Sequence, residues 1–128
     1  MQNFRDLQVW QRAHSLTLSV YRLTSAFPAQ EMYGLASQMR RSCVSIPANI
    51  AEGCGRDGAR EFARFLEIAR GSASELEYYL LLASDLHFMA GADRDKLAVD
   101  LTELQKMLAS LRHRVMAAPL SQIEAHDS

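Results

Sequence analysis

The stretch Arg40-Arg41-Ser42-Cys43-Val44-Ser45-Ile46-Pro47-Ala48-Asn49-Ile50-Ala51-Glu52-Gly53-Cys54-Gly55-Arg56 constrains the fold more than any other part of the chain. Leu35, Met39, Ser42, Ile46 and Asn49/Ile50 recur at steps of four and three, so a helical period runs straight through Pro47. An interior proline deletes one backbone hydrogen bond and crowds the carbonyl four residues back, at a cost of about 3 kcal/mol. A helix clamped by neighbours on one face absorbs that cost; a lone helix does not. The segment therefore predicts a packed helical bundle whose second helix is bent at Pro47 and stopped by left-handed residues at Gly53 and Gly55.

Three further segments carry the same four-three spacing. Val9, Ala13, Leu16, Val20, Leu23 and Phe27 predict a first helix from about Asp6, as N-cap, to Phe27 before Pro28. The second runs from about Gln30 to Glu52. Phe62, Phe65/Leu66, Ala69, Ala73, Leu76, Leu80, Ala83 and His87 line a third from near Ala59 to about Met89-Ala90-Gly91. Leu97, Leu101, Leu104, Leu108, Leu111 and Val115 line a fourth, capped by Asp93. No segment alternates with period two. The expected fold is all-α, an antiparallel up-down-up-down four-helix bundle over residues 1–118, followed by a short polar tail over 119–128.

The third helix has too much apolar surface for a monomer. With Leu76, Leu80 and Ala83 facing the core, a rotation of about 100° per residue places Gly71, Tyr78 and Leu82 on the opposite side. A helix apolar nearly all round is buried all round, which predicts a homo-oligomer with these three residues in the contact.

The chemistry is sparse. The chain has 128 residues and a net charge of -1, so no global field draws it to nucleic acid or membrane. No apolar run is long enough to span a bilayer, and the Met1-Gln2-Asn3-Phe4-Arg5-Asp6 start lacks a signal-peptide core; a cytoplasmic protein with reduced thiols is expected. The residues three before His14, His87, His113 and His126 are Gln11, Ser84, Ser110 and Ile123, so the Glu-x-x-His pairs of di-iron bundles are missing. Cys43 and Cys54 share a flank of small residues with Ala36 and Pro47, which suits close helix packing. No catalytic residue, metal, cofactor or small-molecule substrate is expected. His87, near the core side, reads as a structural histidine.

Arginines carry what functional signal there is. Arg40 and Arg41 project from the outer flanks of the second helix, and Arg56, Arg60 and Arg64 follow across the turn. Several guanidinium groups on one surface would bind phosphates in a salt-dependent, sequence-independent way. The same residues could instead pair with Glu52, Glu61 and Glu67 along the helix surfaces. A nucleic-acid partner, RNA or DNA, and a protein-interaction scaffold whose partner is another polypeptide both remain open.

Phe4-Arg5-Asp6-Leu7-x-Val9-Trp10-Gln11, Phe27-Pro28, Glu31-x-Tyr33-Gly34-Leu35 and Gln38-x-Arg40-Arg41 occur in that order. Ser45-Ile46-Pro47-Ala48-Asn49-Ile50-Ala51-Glu52-Gly53-x-Gly55-Arg56 and Glu61-Phe62-x-x-Phe65-Leu66-x-Ile68-Ala69-x-Gly71-Ser72-x-x-Glu75-Leu76-Glu77 follow. Together, over roughly residues 4–115, they resemble the bacterial 23S rRNA intervening-sequence proteins, also labelled S23 ribosomal proteins. The resemblance implies an antiparallel four-helix bundle assembled as a homopentamer. It brings no catalytic residues.

Overall fold

The computed structural model describes residues 3–117, and the predicted tail over 119–128 lies outside them. Four helices carry the fold: α1 (Gln8–Thr24), α2 (Leu35–Cys54), α3 (Ala59–Asp85) and α4 (Gly91–Ala117). Short 3-10 turns at Phe4–Asp6 and Ala29–Glu31 precede α1 and α2, and no strand occurs among the described residues. Each helix packs on the next in sequence, and α4 also packs on α1.

The core is built from the expected seams. Val9, Ala13, Leu16 and Val20 are buried on α1, and Leu97, Leu101, Leu104, Leu108, Leu111 and Val115 on α4. Phe62, Phe65, Leu66, Ala69, Ala73, Leu76, Leu80 and Ala83 do the same on α3. Ala36, Cys43, Pro47 and Cys54, the predicted small-residue flank of α2, are all buried.

The ends of the elements differ from the reading of the sequence. Asp6 does not cap α1; it closes the 3-10 turn, and Leu7 occupies the cap position without a side-chain bond. The second helix starts at Leu35, five residues after Gln30. Gly34 allows this, because a Cβ there would stand 2.9 Å from the Glu31 Oε1 atom. That oxygen accepts from the Leu35 N–H at 3.2 Å, satisfying one of the orphan donors of the first turn.

Gly53 and Gly55 do not form a left-handed stop. Gly55 is right-handed at φ -85°, and Gly53 lies buried inside α2. A Cβ on Gly53 would meet the Phe62 Cδ1 atom at 2.9 Å and the Phe65 Cβ at 3.0 Å, so this glycine lets α3 approach α2. The left-handed glycine is Gly58, at φ 87°, immediately before α3.

His87 is not a core residue. The third helix ends at Asp85, and His87 is exposed with φ 62°. Its N–H bonds the Ser84 carbonyl at 3.0 Å, while the Phe88 N–H bonds the Ala83 carbonyl at 2.9 Å. This is a Schellman stop with histidine in the position that usually takes glycine. It turns Phe88 inward, where its ring lies 5.7 Å from Phe27.

Candidate nucleic-acid interface

The five candidate arginines occupy two places, and their environments differ. Arg40 is half-buried at the C-terminal end of α1. Its Nε donates to Thr24 Oγ1 at 2.8 Å, and its Nη2 donates to the Tyr21 carbonyl and to Ser25 Oγ, each at 3.3 Å. The guanidinium also lies 4.7 Å from the Tyr21 ring centroid. A cation at a helix C-terminus interacts favourably with the negative end of the helix dipole, and with these bonds Arg40 ties α2 to α1. Arg41, one residue on, is exposed and takes part in no ion pair among the described residues.

Across the α2–α3 turn, Phe65 is the organising residue. The Arg56 and Arg64 guanidiniums lie 5.2 and 4.6 Å from its ring centroid. Arg56 pairs with Glu52 at 3.4 Å, and Arg64 grips both oxygens of Glu61 at 2.9 and 3.2 Å. The bonds from Arg64 hold the Glu61 carboxyl below the usual carboxylate range. Arg60 is exposed and unpaired among the described residues. Arg70 and Arg112 converge on one oxygen of Glu67, at 2.7 and 3.5 Å. The pairs with Glu52, Glu61 and Glu67 are thus formed, and Arg41 and Arg60 are the candidates left open.

Gly71, Tyr78 and Leu82 divide as well. Gly71 borders a groove of about 410 Å³ between α3 and α4, with open space where a Cβ would stand. Tyr78 is 57 % exposed. Leu82 is only partly exposed and packs against the core, and the neighbouring large apolar residues in the open are Leu81 and Leu86.

A second group of side chains, around Trp10 on the apolar outer surface of the first helix, comes together in a way that the periodicity of the buried seam alone does not show. Phe4 meets Trp10 edge-on at 5.0 Å, and Trp10 stacks on His14 at 5.0 Å with ring planes 8° apart. Arg5 lies over Phe4 at 4.6 Å. The signal was available in the spacing: Trp10, His14, Leu18 and Tyr21 fall within one flank of α1.

The buried thiols show no reactive setting. Desolvation pushes Cys43 up to about 11, against a smaller opposing effect of its bond to Thr17, and pushes Cys54 up to about 11 as well. Among the described residues no three His, Cys, Asp or Glu side chains are grouped to hold a metal, and no helix is long and apolar enough to cross a membrane.

Fold and surface together define a small helical-bundle protein with guanidinium groups and exposed rings on its outer faces. A family model for the 23S rRNA-intervening sequence protein matches residues 5–110, and the chain belongs to that family. A crystal structure from Bacteroides thetaiotaomicron, of a protein with unknown function from the S23 ribosomal protein family, is similar at 26% identity and a TM-score of 0.75. The match covers 83% of this chain and 99% of that one. No curated protein matches in sequence.

Proposed function

We propose that the protein is a non-enzymatic homo-oligomer, a pentamer as the family resemblance implies, that binds structured RNA or DNA weakly through surface arginines. The observation that carries this reading is the uneven charge. Helices α1 and α2 hold Arg12, Arg22, Arg40 and Arg41 against one carboxylate, Glu52, which is engaged by Arg56. The negative charge is concentrated on α3. One half of the bundle is therefore basic although the chain as a whole is near neutral. Repetition of the basic half around an oligomer multiplies a weak patch by avidity.

The oligomer is supported by Tyr78, Leu81 and Leu86, large side chains in the open at and just past the C-terminal end of α3. The bundle order we propose is up-down-up-down with α2 bent at Pro47. Cross-helix contacts between Thr24 and Arg40, Thr17 and Cys43, Ser45 and Ser72, and Glu67 and Arg112 fit it.

Binding of labelled RNA and DNA across a salt series tests the reading. Wild type should lose affinity steeply with salt, and Arg41→Ala/Arg60→Ala should bind more weakly with a shallower slope. Equal affinity and slope in the variant would remove these arginines from the site. A scaffold for another polypeptide is the second reading, favoured by Tyr33, which is 97 % exposed between the 3-10 turn and α2. A stoichiometric protein partner that survives nuclease treatment would support it.

A further inference from the structure

The flank of α1 that faces solvent beside α2 combines features found together nowhere else on the described surface. Trp10, His14, Leu18 and Tyr21 follow one another along it over about 16 Å of helix, at 1.5 Å per residue. His14, Leu18 and Tyr21 are exposed and Trp10 is half-buried. The stripe begins with an arginine over a ring, Arg5 on Phe4, and ends with another, Arg40 on Tyr21. Helix α1 contains no carboxylate, and in α2 the first is Glu52. Acids stand at its borders: Asp6 beside Arg5, Glu31, one oxygen of which accepts from the Leu35 N–H, and, on the α4 side of α1, Asp100 and Glu103, which share grooves with Arg12 and Ser15.

We infer that this flank is a stacking surface for unpaired bases of single-stranded nucleic acid, with Arg5 and Arg40 flanking the strand. The inference rests on the nucleic-acid reading above and assigns it a face and, within a structured RNA or DNA, the unpaired segments. Trp10 and His14 already lie parallel, so a base stacked on the open side of His14 extends an existing stack. Stacking accepts every base and needs the bases unpaired, whereas a duplex offers its phosphates alone. The carboxylate-free length of α1 matters because a phosphate backbone following the stripe meets no like charge on that helix itself. Two guanidiniums seated on rings set the chemistry toward an anionic, π-bearing ligand rather than an apolar peptide.

Trp10 is the sole tryptophan and reports on the site directly. The full chain is titrated at low salt with oligo-uridylate, oligo-thymidylate and a duplex of equal length, reading tryptophan emission and anisotropy of a labelled strand. Single strands should quench Trp10 and the duplex should not. His14→Ala and Tyr21→Ala should each weaken single-strand binding roughly 5- to 100-fold, the range for losing one stacked base. Tyr21→Ala should leave the salt slope unchanged, and Tyr21→Phe should keep wild-type affinity. Circular dichroism of the surface variants verifies that they fold.

Binding that falls with Arg41→Ala/Arg60→Ala but neither quenches Trp10 nor responds to His14→Ala would overturn the stacking face and leave the arginine reading standing. Failure of every oligonucleotide to bind would remove both. A change of oligomer size in Tyr21→Ala, with nucleic-acid affinity intact, would reassign the flank to contacts between copies of the chain.

Discussion

The hydroxyl of Thr17 on α1 lies 3.5 Å from the carbonyl oxygen of Cys43 on α2, both buried. Cys43 is four residues before Pro47, so its carbonyl is the one that loses its helical donor to the proline ring. The same hydroxyl bonds the Ala13 carbonyl at 2.8 Å and accepts from the Cys43 thiol at 3.5 Å. The one hydroxyl proton goes to Ala13 at 2.8 Å, so the neighbouring helix sets a polar group beside the carbonyl that the proline left without its helical donor, and takes the Cys43 thiol proton in return. That is the physical form of the bundle packing on which an interior proline depends.

Thr17→Val removes the hydroxyl that bonds Ala13 and accepts from the Cys43 thiol, and should destabilise the fold by about 0.5–1.5 kcal/mol, the net value of a hydrogen bond. Pro47→Ala restores an N–H to the Cys43 carbonyl. In that background Thr17→Val should cost less, giving a coupling of about 0.5–1.5 kcal/mol in a urea-unfolding double-mutant cycle. Additive costs would mean that the two sites are independent.

Gly53 and Gly71 are interior helical glycines with opposite expected responses. Gly53→Ala drives a methyl into Phe62 and Phe65 and should lower stability by about 1–3 kcal/mol. Gly71→Ala meets nothing within the subunit and should raise subunit stability by about 0.5–1 kcal/mol. Thermal melts combined with sedimentation distinguish packing within a subunit from packing between copies. A Gly71→Ala variant that dissociates would place Gly71 in the oligomer contact.

His87 carries a left-handed backbone without being glycine. His87→Gly should stabilise by about 1 kcal/mol, and His87→Val should destabilise by a similar amount, because a β-branched residue is strained there. Midpoints of chemical denaturation check both signs.

Much of this was legible in the sequence, and the failures have a common cause. The seams of α1, α3 and α4 are legible along the helices, though not at their ends, because burial repeats along each helix and many residues report the same face. Element ends depend on single residues with more than one use. Gly53 was read as a stop because glycine permits a left-handed turn, but here its missing Cβ admits Phe62 and Phe65. His87 continued the seam by spacing, yet α3 had already ended. Arg40 was legible as a surface cation; its use by Thr24, Tyr21 and Ser25 depends on how two helices meet.

The buried Cys43 thiol makes stability fall in alkali. Burial raises it from the ordinary thiol value of 9.0 to about 11, so the folded state binds the proton more tightly. The stabilisation relative to the ionised, unfolded form is complete below pH 9.0 and is lost as pH rises to about 11. It amounts to roughly 2–3 kcal/mol at 1.36 kcal/mol per unit. Cys54 is raised in the same way, so Cys43→Ser should reduce this part of the stability–pH curve and Cys43→Ser/Cys54→Ser should flatten it, and neither thiol should react with a maleimide at pH 7 on the timescale of an exposed cysteine.

The most direct test of the central claim is a native mass spectrum of the protein purified at low salt without nuclease. The account predicts a homo-oligomer, five subunits by family resemblance, carrying heterogeneous nucleic acid that dissociates as salt is added. A monomer free of nucleic acid would contradict it.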